Sequence, residues 1–566
     1  MNPLESFVHV PRIAYFSMEI ALCSEIPTYA GGLGVLAGDT LRASADLELP
    51  LVGVTLVSRN GYFRQEIDAQ HRQCEYSEPW DPERRMPLLG AKIAVPIEGR
   101  DVWVQAWLYE LEGLTGYKVP VIILDTNVVD NSDADREITD SLYGGDEAYR
   151  MKQEVVLGIG GARMLHALGF EVHTFHINEG HSAFLALELL WRFERTKEEV
   201  GPGESIYDAG SVRELCLFTT HTPVDSAHDQ FSYDLVARVL GNFVDITEIK
   251  QLAGTDRLNM TRLAMNLSSY VNGVAKSHAA VSNSMYPGHR IHAITNGIHG
   301  PTWTCPSFAK LYDAHLPQWR HEPEILVRAD QIPDEEIWKA HKEAKQELIK
   351  RVNTLTGVQL DPDLPIIGFA RRMTSYKRPH LLFSDIKRLS AIARKYPVQV
   401  VLAGKAHPQD GPGKKLIESI HRYLTDLEET VTSAYLPDYN MELALEMTAG
   451  ADIWLNTPLR PLEASGTSGM KAAVNGVLNL GVLDGWWLEA CIEGVTGWAI
   501  GSAVTGGTDE TDAKSVYDKL EHTVLPLYYN DHAAWIWMMK STISKIAYYF
   551  NSHRMMRRYA TEAYIR

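Results

Sequence analysis

Short apolar runs alternate with longer amphipathic stretches along most of the chain. The first two runs, at 13–18 and 51–57, have the length and β-branched content of buried strands, and the stretch between them at 33–47 has apolar residues at helical spacing. A glycine-rich turn at 31–34 precedes this helix. A strand, a glycine loop, a helix and a second strand in this order are typical of a parallel sheet, so we expect an α/β protein.

The same alternation continues toward the end of the chain. It predicts further strands at 119–124, 172–177, 215–219, 364–370, 398–403 and 451–457. It predicts helices at 147–168, 182–194, 334–352, 379–395 and 414–427, a helix start at 472–477 and a helical closing segment at 533–565.

The pattern also indicates two domains. A chain of 566 residues is too long for one ordinary domain, and the very polar stretch at 334–352 precedes a fresh start of the alternation. We therefore expect two doubly wound, Rossmann-like domains, residues 1–315 and 316–566, with the last helix packing back on the first domain. Such domains bind ligands at the carboxyl ends of their strands, in the crevice between them.

Composition and charge narrow the class of function. A net charge of −18 argues against sequence-independent binding of nucleic acid. The five cysteines form no CxxC pair, which indicates neither a zinc site nor a disulfide framework, and their odd number favours a reducing cytoplasm. The first residues lack the features of a signal peptide, and no uncharged apolar stretch is long enough to cross a bilayer. We expect a cytoplasmic protein without a metal, nucleic-acid or membrane partner.

The segment 463–471, EASGTSGMK, carries the most distinctive chemistry in the chain. Glu463 supplies a carboxylate, and Lys471 stands eight residues further on, between a predicted strand and a predicted helix. Glycines let backbone N–H groups crowd toward an anion, and a helix start adds positive partial charge. A lysine in that place serves as a point charge for a phosphate or as the amine of a Schiff base. The alternative, a glycine-rich turn with a solvated lysine, is the commoner case for such a motif on its own.

A basic loop forms a second candidate site. The segment 371–378, RRMTSYKR, directly follows the predicted strand at 364–370, and its Arg372 and Lys377 can converge on one oxyanion. Arginine offers a planar fork with two donors, and lysine offers a compact charge. The alternative is a basic surface loop that begins a helix.

Several weaker signals also follow predicted strands. Gly31 and Gly32 lack the spacing of a dinucleotide or P-loop motif, but they suit a helix start that faces an anion. The histidine strings 176–181 and 219–223 do not match HExxH, so zinc is disfavoured. His221 at a strand end can bind a sugar hydroxyl or can be structural. Likewise, Asn296 and Trp303 fit either a site or a turn followed by a core aromatic.

Together these motifs resemble the α-glucan (glycogen, maltodextrin and starch) phosphorylases. The matching segments are GGLG at 31–34, TTHTP at 219–223, ITNG at 294–297, RRMTSYKR at 371–378, EASGTSGMK at 463–471, NG at 475–476 and GVLDG at 481–485. They occur in the order of the family. The chain is shorter than the animal members and resembles the compact prokaryotic ones.

The resemblance implies the GT-B architecture, in which two Rossmann-like domains face each other across the active-site cleft. It implies pyridoxal 5'-phosphate bound as a Schiff base to Lys471, and a homodimer. It also implies reversible phosphorolysis of a terminal α-1,4-linked glucose of glycogen or a maltooligosaccharide, with inorganic phosphate as the second substrate and glucose 1-phosphate as the product. In this family inorganic phosphate acts as acid and nucleophile, assisted by the phosphate group of the cofactor.

The resemblance also implies a role for each matching residue. Arg372 and Lys377 are expected to hold phosphate, and Gly31 and Gly32 to direct backbone dipoles at it. The other expected contacts are Thr467 and Tyr439 with the cofactor, Tyr15 and Trp303 more weakly with its pocket, Glu463, Ser465 and Gly466 with glucose hydroxyls, and His221 and Asn296 with the sugar near its 6-hydroxyl.

Two other functions fit part of the pattern. A nucleotide-sugar glucan synthase of the same architecture has an Arg and Lys pair, but a second glutamate stands where this chain has Lys471. A catalytically silent glucan-binding protein on the same scaffold would not need the full set of Lys471, Arg372, Lys377 and His221. The sequence therefore favours the phosphorylase.

Overall fold

Parallel strands build two large sheets in the computed structural model, which describes residues 4, 7–10, 12–196, 198–202, 204–224, 228–502 and 507–565. The first sheet has the strand order β13-β12-β9-β8-β1-β2-β7-β6-β5. Its strands are β1 (Ile13–Phe16), β2 (Leu51–Leu56), β5 (Leu88–Ile97), β6 (Arg100–Glu112), β7 (Lys118–Asp125), β8 (Thr174–Asn178), β9 (Cys216–Thr219), β12 (Tyr270–Gly273) and β13 (Ile291–Ala293). Two small hairpins accompany it, β3 (Arg64–Ile67) with β4 (Gln73–Tyr76), and β10 (Gln230–Ser232) with β11 (Arg257–Asn259).

The second sheet is parallel throughout and has the order β16-β15-β14-β17-β18-β19. Four of its strands, β14, β15, β17 and β18, are buried at every position, so helices cover both faces and the sequence can be apolar without alternation. The strands are β14 (Ile366–Ala370), β15 (Gln399–Ala403), β16 (Ser433–Leu436), β17 (Ile453–Asn456), β18 (Leu478–Val482) and β19 (Gly497–Ile500).

Helices connect the strands in both halves of the chain. Those before residue 330 are α1 (Gly32–Asp46), α2 (Asp133–Arg136), α3 (Glu147–Val155), α4 (Gly161–Ala167), α5 (Phe184–Arg192), α6 (Ala209–Leu215), α7 (Tyr233–Leu240), α8 (Ile246–Ala253), α9 (Met260–Asn266), α10 (Lys276–Met285), α11 (Gly300–Trp303) and α12 (Pro306–His315). Those after it are α13 (Asp334–Thr356), α14 (Ile386–Lys395), α15 (Gly411–Leu427), α16 (Met441–Gly450), α17 (Ser468–Val474), α18 (Trp487–Ala490), α19 (Asp509–Lys519), α20 (Leu525–Asn530), α21 (His532–Thr542) and α22 (Ser552–Tyr559). Among the described residues, no helix combines the length and the apolar composition needed to cross a bilayer.

The structure contains the predicted mixture of helices and parallel strands, and each predicted strand is present within a few residues of its expected bounds. The antiparallel edge formed by β5 and β6 was not predicted. Its strands alternate buried and exposed positions, as expected for an edge with one solvated face.

Three predicted helices have other bounds. The helix expected at 379–395 begins only at Ile386, because Arg378 lies in the left-handed region with φ +49° and the Asp385 side chain caps the later start. The helix expected from 472 begins at Ser468, so Lys471 lies inside it. The closing segment is interrupted between α21 and α22, where Asn551 caps a new helix.

The C-terminal segment packs against the first sheet. The Tyr559 hydroxyl lies 3.1 Å from Thr219 Oγ1 and accepts a hydrogen bond of 2.9 Å from Asn272 Nδ2. The Tyr564 hydroxyl lies 2.8 Å from His176 Nδ1. These contacts join the end of the chain to β8, β9 and β12.

The β3–β4 hairpin reaches from the first half of the chain to the loops of the second sheet. Gln65 Nε2 donates to the Gly404 carbonyl at 2.9 Å, and Gln73 Nε2 donates to the Ala406 carbonyl at 2.8 Å. The hairpin therefore binds the loop that follows β15 in the second sheet.

Candidate active site

Lys471 lies in α17, the short helix that follows β17 in the sequence. Its backbone N–H donates to the Thr467 carbonyl. The residue is buried, with 7% of its surface exposed. The Nζ atom lies 3.6 Å from the ring centroid of Trp303, within the range of a cation–π contact. Among the described residues, the Nζ atom has no hydrogen-bond or ion-pair partner.

This setting keeps the lysine amine reactive. Burial lowers the pKa of Lys471 to about 8, and the nearby Asp39 carboxylate offsets the effect only in part. Asp39 is itself engaged, since its Oδ2 accepts a hydrogen bond of 2.8 Å from Trp303 Nε1. A fraction of the amine is therefore neutral near pH 7, as a nucleophilic lysine requires.

Asn475 connects α17, which carries Lys471, to the segment around Trp303. Its Nδ2 donates to the Trp303 carbonyl at 2.8 Å and to the Lys471 carbonyl at 2.9 Å, and its Oδ1 accepts from the Cys305 N–H at 2.8 Å. The side chain is fully buried with these contacts. Asn475 therefore helps to fix the position of the Lys471 amine relative to the Trp303 ring.

Glu463 is a buried carboxylate that two cations hold. Its Oε2 accepts from Arg371 Nη2 at 2.8 Å and from Lys377 Nζ at 2.7 Å. Burial alone would raise the pKa of Glu463, but the charges of Arg371 and Lys377 outweigh it and lower the pKa to about 2. The carboxylate is thus ionised at every working pH, and Oε1 lacks these cationic partners.

The two neighbouring arginines have different surroundings. Arg371 is buried and also donates to Asn456 Oδ1. Arg372 is exposed and makes no ion pair with any described residue. Arg372 lies near Tyr62 and His407. Burial raises the pKa of the Tyr62 hydroxyl, and the positive charge of Arg372 opposes this rise. Burial lowers the pKa of His407, and the same charge adds to this fall. The structure therefore brings Lys377 to Glu463 together with Arg371 rather than with Arg372, and the phosphate clamp of Arg372 and Lys377 stays a prediction.

Asp484 and Gly485 hold the Glu463 loop from the other side. Asp484 Oδ2 accepts from the Glu463 N–H at 2.9 Å, and its Oδ1 accepts from the Gly485 N–H at 2.9 Å. Burial raises the pKa of Asp484 to about 6. Gly485 has φ +54°, and a Cβ atom there would lie 2.4 Å from the Ser465 carbonyl oxygen, so only glycine allows the two loops to pack this closely.

Ser465, Gly466 and Thr467 lie between the carboxylate and the lysine. Ser465 is buried, and Gly466 has φ +80° with its Cα beside Glu463. Thr467 is half-buried and stands at the cap position of α17, but its side chain does not cap the helix. Its hydroxyl is therefore available to another partner.

The first glycine loop differs from its prediction in one respect. A Cβ atom at Gly31 or Gly32 would meet no described atom within 4 Å, so the loop is open in front of both residues. However, the Gly31 N–H donates to Glu19 Oε2 at 3.0 Å. The Gly31 N–H, which was expected to face phosphate, is thus already bound to a carboxylate of the chain.

His221 follows β9 and Asn296 follows β13, the two strands on either side of β12 in the first sheet. His221 Nε2 lies 2.7 Å from Asn178 Oδ1, and its backbone N–H donates to Glu179 Oε2 at 2.8 Å. Asn296 is 4% exposed, and its Oδ1 has no partner among the described residues. A buried acceptor without a partner points to a donor on a ligand.

The two tyrosines predicted near the cofactor have different positions. Burial raises the pKa of Tyr439, and the charge of Arg371 opposes the rise, so this phenol lies near the Glu463 cluster. Tyr15 is buried with its ring 4.8 Å from that of His176, centroid to centroid. It belongs to β1 of the first sheet, and no contact with Lys471 is found within the described residues.

Four residues of this arrangement were missed by sequence reasoning. They are Arg371, Asn178, Asp484 and Asp39. Asn178 is the last residue of β8 and Asp484 lies two residues after β18, and this position at a strand's carboxyl end is the signal that would have found them. Nothing in the spacing of the chain distinguishes Arg371 from Arg372, or assigns Asp39 to Trp303.

These residues suit pyridoxal phosphate. A buried lysine amine with a lowered pKa and no polar partner can form an imine, and the Trp303 ring beside it offers a face for a flat heteroaromatic group. The open hydroxyl of Thr467 lies one helical turn from the amine. Fold and site together define an α/β protein with a lysine-centred ligand site at the strand ends of its second sheet.

Comparison with known proteins identifies the family. The family model described as carbohydrate phosphorylase matches residues 243–497. The chain is 39% identical to the maltodextrin phosphorylase of Thermococcus litoralis, over 98% of this chain and 70% of that protein. It is 36% identical to the glycogen phosphorylase of Aquifex aeolicus over 98% and 86%, and 34% identical to that of Mycobacterium tuberculosis over 98% and 70%. The chain belongs to the carbohydrate phosphorylase family, which confirms the resemblance found in its motifs.

Proposed function

We propose that the chain is a pyridoxal-phosphate-dependent α-glucan phosphorylase. It would transfer the terminal α-1,4-linked glucose of glycogen or a maltooligosaccharide reversibly to inorganic phosphate and release α-D-glucose 1-phosphate. The observation that carries the proposal is the Lys471 amine, which is buried, has its pKa lowered to about 8, and contacts Trp303 while making no hydrogen bond or ion pair with another described residue. The relatives named maltodextrin and glycogen phosphorylase support the same reaction.

The cofactor would be attached through Lys471 and packed beside Trp303. Thr467 and Tyr439 would bind it through their hydroxyl groups, with Tyr15 further back toward the first sheet. When bound, its phosphate group supplies a proton donor and acceptor next to the inorganic phosphate. This chain's part is to hold the group, exclude water from it and keep the amine neutral enough to bind it.

Inorganic phosphate would bind between the basic loop and the glycine loop. The Arg372 guanidinium makes no ion pair with any described residue, and the Lys377 ammonium has protons left after its bond to Glu463. The Gly32 N–H would also face the phosphate, since the loop is open in front of Gly32, and Gly31 would contribute less because its N–H donates to Glu19. Two phosphates held close together repel, so cationic groups and a shared proton are needed to stabilise the pair.

The sugar would be read by hydrogen bonds on its hydroxyl groups. Glu463, fixed in its ionised form, accepts from hydroxyls that donate, and the Ser465 and Gly466 backbone lies beside it. His221 and Asn296 would hold the 6-hydroxyl. Inorganic phosphate then protonates the glycosidic oxygen and attacks the oxocarbenium-like carbon from the same face, so the two-carboxylate scheme of glycosidases is not needed.

The architecture proposed for this reaction is GT-B. The first sheet would form the glucan side within residues 1–315, and the second sheet the cofactor and phosphate side within 316–566, with the active site in the cleft. Support comes from the two large, mainly parallel sheets and from the position of Lys377 in the loop after β14 and of Glu463 and Lys471 in the loop and helix after β17. We also propose a cytoplasmic homodimer; the five free thiols are consistent with a reducing compartment.

The cofactor can be tested by trapping it. Protein incubated with pyridoxal phosphate should gain absorbance in the near ultraviolet, and borohydride should fix the group to the peptide that contains Lys471. Lys471→Arg keeps the charge but cannot form the bond, so it should show neither effect. Trapping on another lysine, or none at all, would exclude Lys471 as the attachment site.

The donor substrate separates the proposal from its two rivals. Maltodextrin should be elongated from glucose 1-phosphate without any nucleotide. Elongation only from a nucleotide sugar would identify a glucan synthase, and binding of maltodextrin with no elongation from either donor would identify a silent binding protein.

A further inference from the structure

The amide of Asn178 has only one orientation that satisfies its neighbours. Ser17 Oγ donates to the Glu19 carbonyl at 2.8 Å, and this carbonyl has no backbone donor among the described residues. Since the hydroxyl has a single proton, its oxygen must accept from Asn178, whose Nδ2 lies 3.1 Å away. The Asn178 amide oxygen therefore faces His221.

This orientation determines which nitrogen of His221 carries a proton. Asn178 Oδ1 lies 2.7 Å from His221 Nε2, and an amide oxygen can only accept. Nε2 must therefore be an N–H group. In a neutral ring the other nitrogen, Nδ1, is then a bare acceptor.

The ring is neutral at physiological pH. Burial lowers the pKa of His221 to about 4, and the Glu179 carboxylate at its backbone N–H opposes the fall only in part. The other titratable groups that face it are His181 and His278, which lower its pKa, and His176 on the same strand as Asn178. None of the three histidines offers negative charge that would keep the ring protonated.

We propose that Asn178 is a positioning residue that fixes His221 as a hydrogen-bond acceptor at Nδ1, so that the glucose subsite selects a hydroxyl that donates. The inference rests on the proposed function, in which this hydroxyl is the 6-hydroxyl of glucose. Asn296, which follows β13, gives independent support for a hydroxyl-bearing ligand at this edge of the first sheet, because its buried Oδ1 has no partner within the described part of the chain.

A substrate analogue can test the direction of this hydrogen bond. In 6-deoxy-6-fluoroglucose 1-phosphate, fluorine keeps the size of the hydroxyl but cannot donate. The wild-type protein should use it with a kcat/KM lower by about tenfold or more, because a site built to accept a proton rejects an analogue without one.

Asn178→Asp should weaken that selectivity in a pH-dependent way. A carboxylate beside Nε2 raises the pKa of His221 toward neutrality, and below the new pKa Nδ1 becomes a donor. The penalty against the fluoro analogue should therefore shrink at pH 6 and return at pH 8. Wild type should show the full penalty at both pH values.

Asn272→Asp is the matched control. Asn272 and Asn178 occupy the same register on either side of Thr219, and both are buried, but Asn272 contacts Thr219 and Tyr559 rather than His221. The control variant therefore also buries a new carboxylate, with an unchanged ring at His221. Identical pH profiles of the fluoro penalty in the two variants would overturn the proposal.

A spectroscopic measurement decides the tautomer without any turnover. In protein labelled with ¹⁵N-histidine, the ring signals of His221, assigned by their loss in His221→Gln, should show a protonated Nε2 and an unprotonated Nδ1 at pH 7. A protonated Nδ1 would refute the inference. A wild type that fails to use glucose 1-phosphate but shows the expected tautomer would contradict the proposed function alone.

Discussion

At the scale of single residues, the adjacent Arg371 and Arg372 lie in different environments. Arg371 is buried and pairs with Glu463, whereas the side chain of Arg372 is exposed next to it. Successive residues that leave a strand point in different directions, so two adjacent arginines cannot both face the same carboxylate. We expect this difference to separate the stability of the site from its affinity for phosphate.

Replacing each arginine by alanine should give different defects. Arg372→Ala should impair the use of inorganic phosphate by about 2–4 kcal/mol in the transition state, with little change in the free energy of unfolding. Arg371→Ala should instead lower the free energy of unfolding by about 1.5–3 kcal/mol, because a buried carboxylate loses a charged donor. Steady-state kinetics with varied phosphate and urea denaturation of both variants measure the two effects. Unchanged phosphate kinetics in Arg372→Ala would rule out its role in the clamp.

The residue types at the site were predictable, but their pairing was not. Lys377 lies in the loop after β14, Glu463 and Lys471 lie in the loop and helix after β17, and both strands can be read from apolar runs. The partners of each group depend on the path of loops that carry no periodic signal. For this reason the spacing indicated Arg372 and Lys377 as a pair, while the structure joins Lys377 and Arg371 through Glu463.

At the scale of elements, strands were predicted better than helix starts. Strands such as β14 and β15 are short, fully buried and apolar, which leaves a clear pattern. The start of α14 depends instead on a cap. The preceding residues 379–385 look helical by composition, but Asp385 accepts from the Arg388 N–H at 2.9 Å and fixes the start at Ile386.

The cap at Asp385 can be tested by two substitutions. Asp385→Ala should lower the free energy of unfolding by about 0.5–2 kcal/mol, because the first turn of α14 loses an acceptor. Asp385→Asn should be nearly neutral, since asparagine caps helices equally well. Urea denaturation provides the measurement. Equal losses in both variants would show that the charge of Asp385, and not its cap, stabilises the helix.

At the scale of the whole molecule, a buried polar cluster connects α1, in the first half of the chain, to the C-terminal helix α22. Asp46 Oδ2, at the end of α1, lies 2.8 Å from His299 Nε2 and 2.9 Å from His553 Nε2. His553 belongs to α22, whose Met555, Met556 and Tyr559 share a hydrophobic cluster with α1. The cluster therefore holds the C-terminal helix against the first sheet.

This cluster predicts a loss of stability in acid. Burial alone would raise the pKa of Asp46, but its bonds to His299 and His553 outweigh burial and lower it. Burial lowers the pKa of His299. In both cases the native state binds fewer protons than the unfolded chain as the pH falls. Stability contributed by the cluster should be complete above about pH 6.5 and decline below it.

Asp46→Asn should reveal that contribution. It should lower the free energy of unfolding by about 2–4 kcal/mol at pH 7, because a buried charge-assisted pair is lost, and flatten the decline of that free energy below about pH 4, where Asp46 of the unfolded chain takes up a proton before that of the native state. Asp313→Asn is a suitable control, since Asp313 pairs with Arg320 and Trp319 at the surface. A decline as steep as that of the wild type would show that other groups cause the acid sensitivity.

The most direct measurement is the fate of inorganic phosphate in the presence of maltodextrin. Protein loaded with pyridoxal phosphate should convert the phosphate signal to that of α-D-glucose 1-phosphate in a ³¹P spectrum, without any nucleotide, and Lys471→Arg should not. Formation of glucose 1-phosphate that depends on Lys471 is the result we predict. Unchanged inorganic phosphate with the fully loaded protein would contradict the proposal that this site performs phosphorolysis.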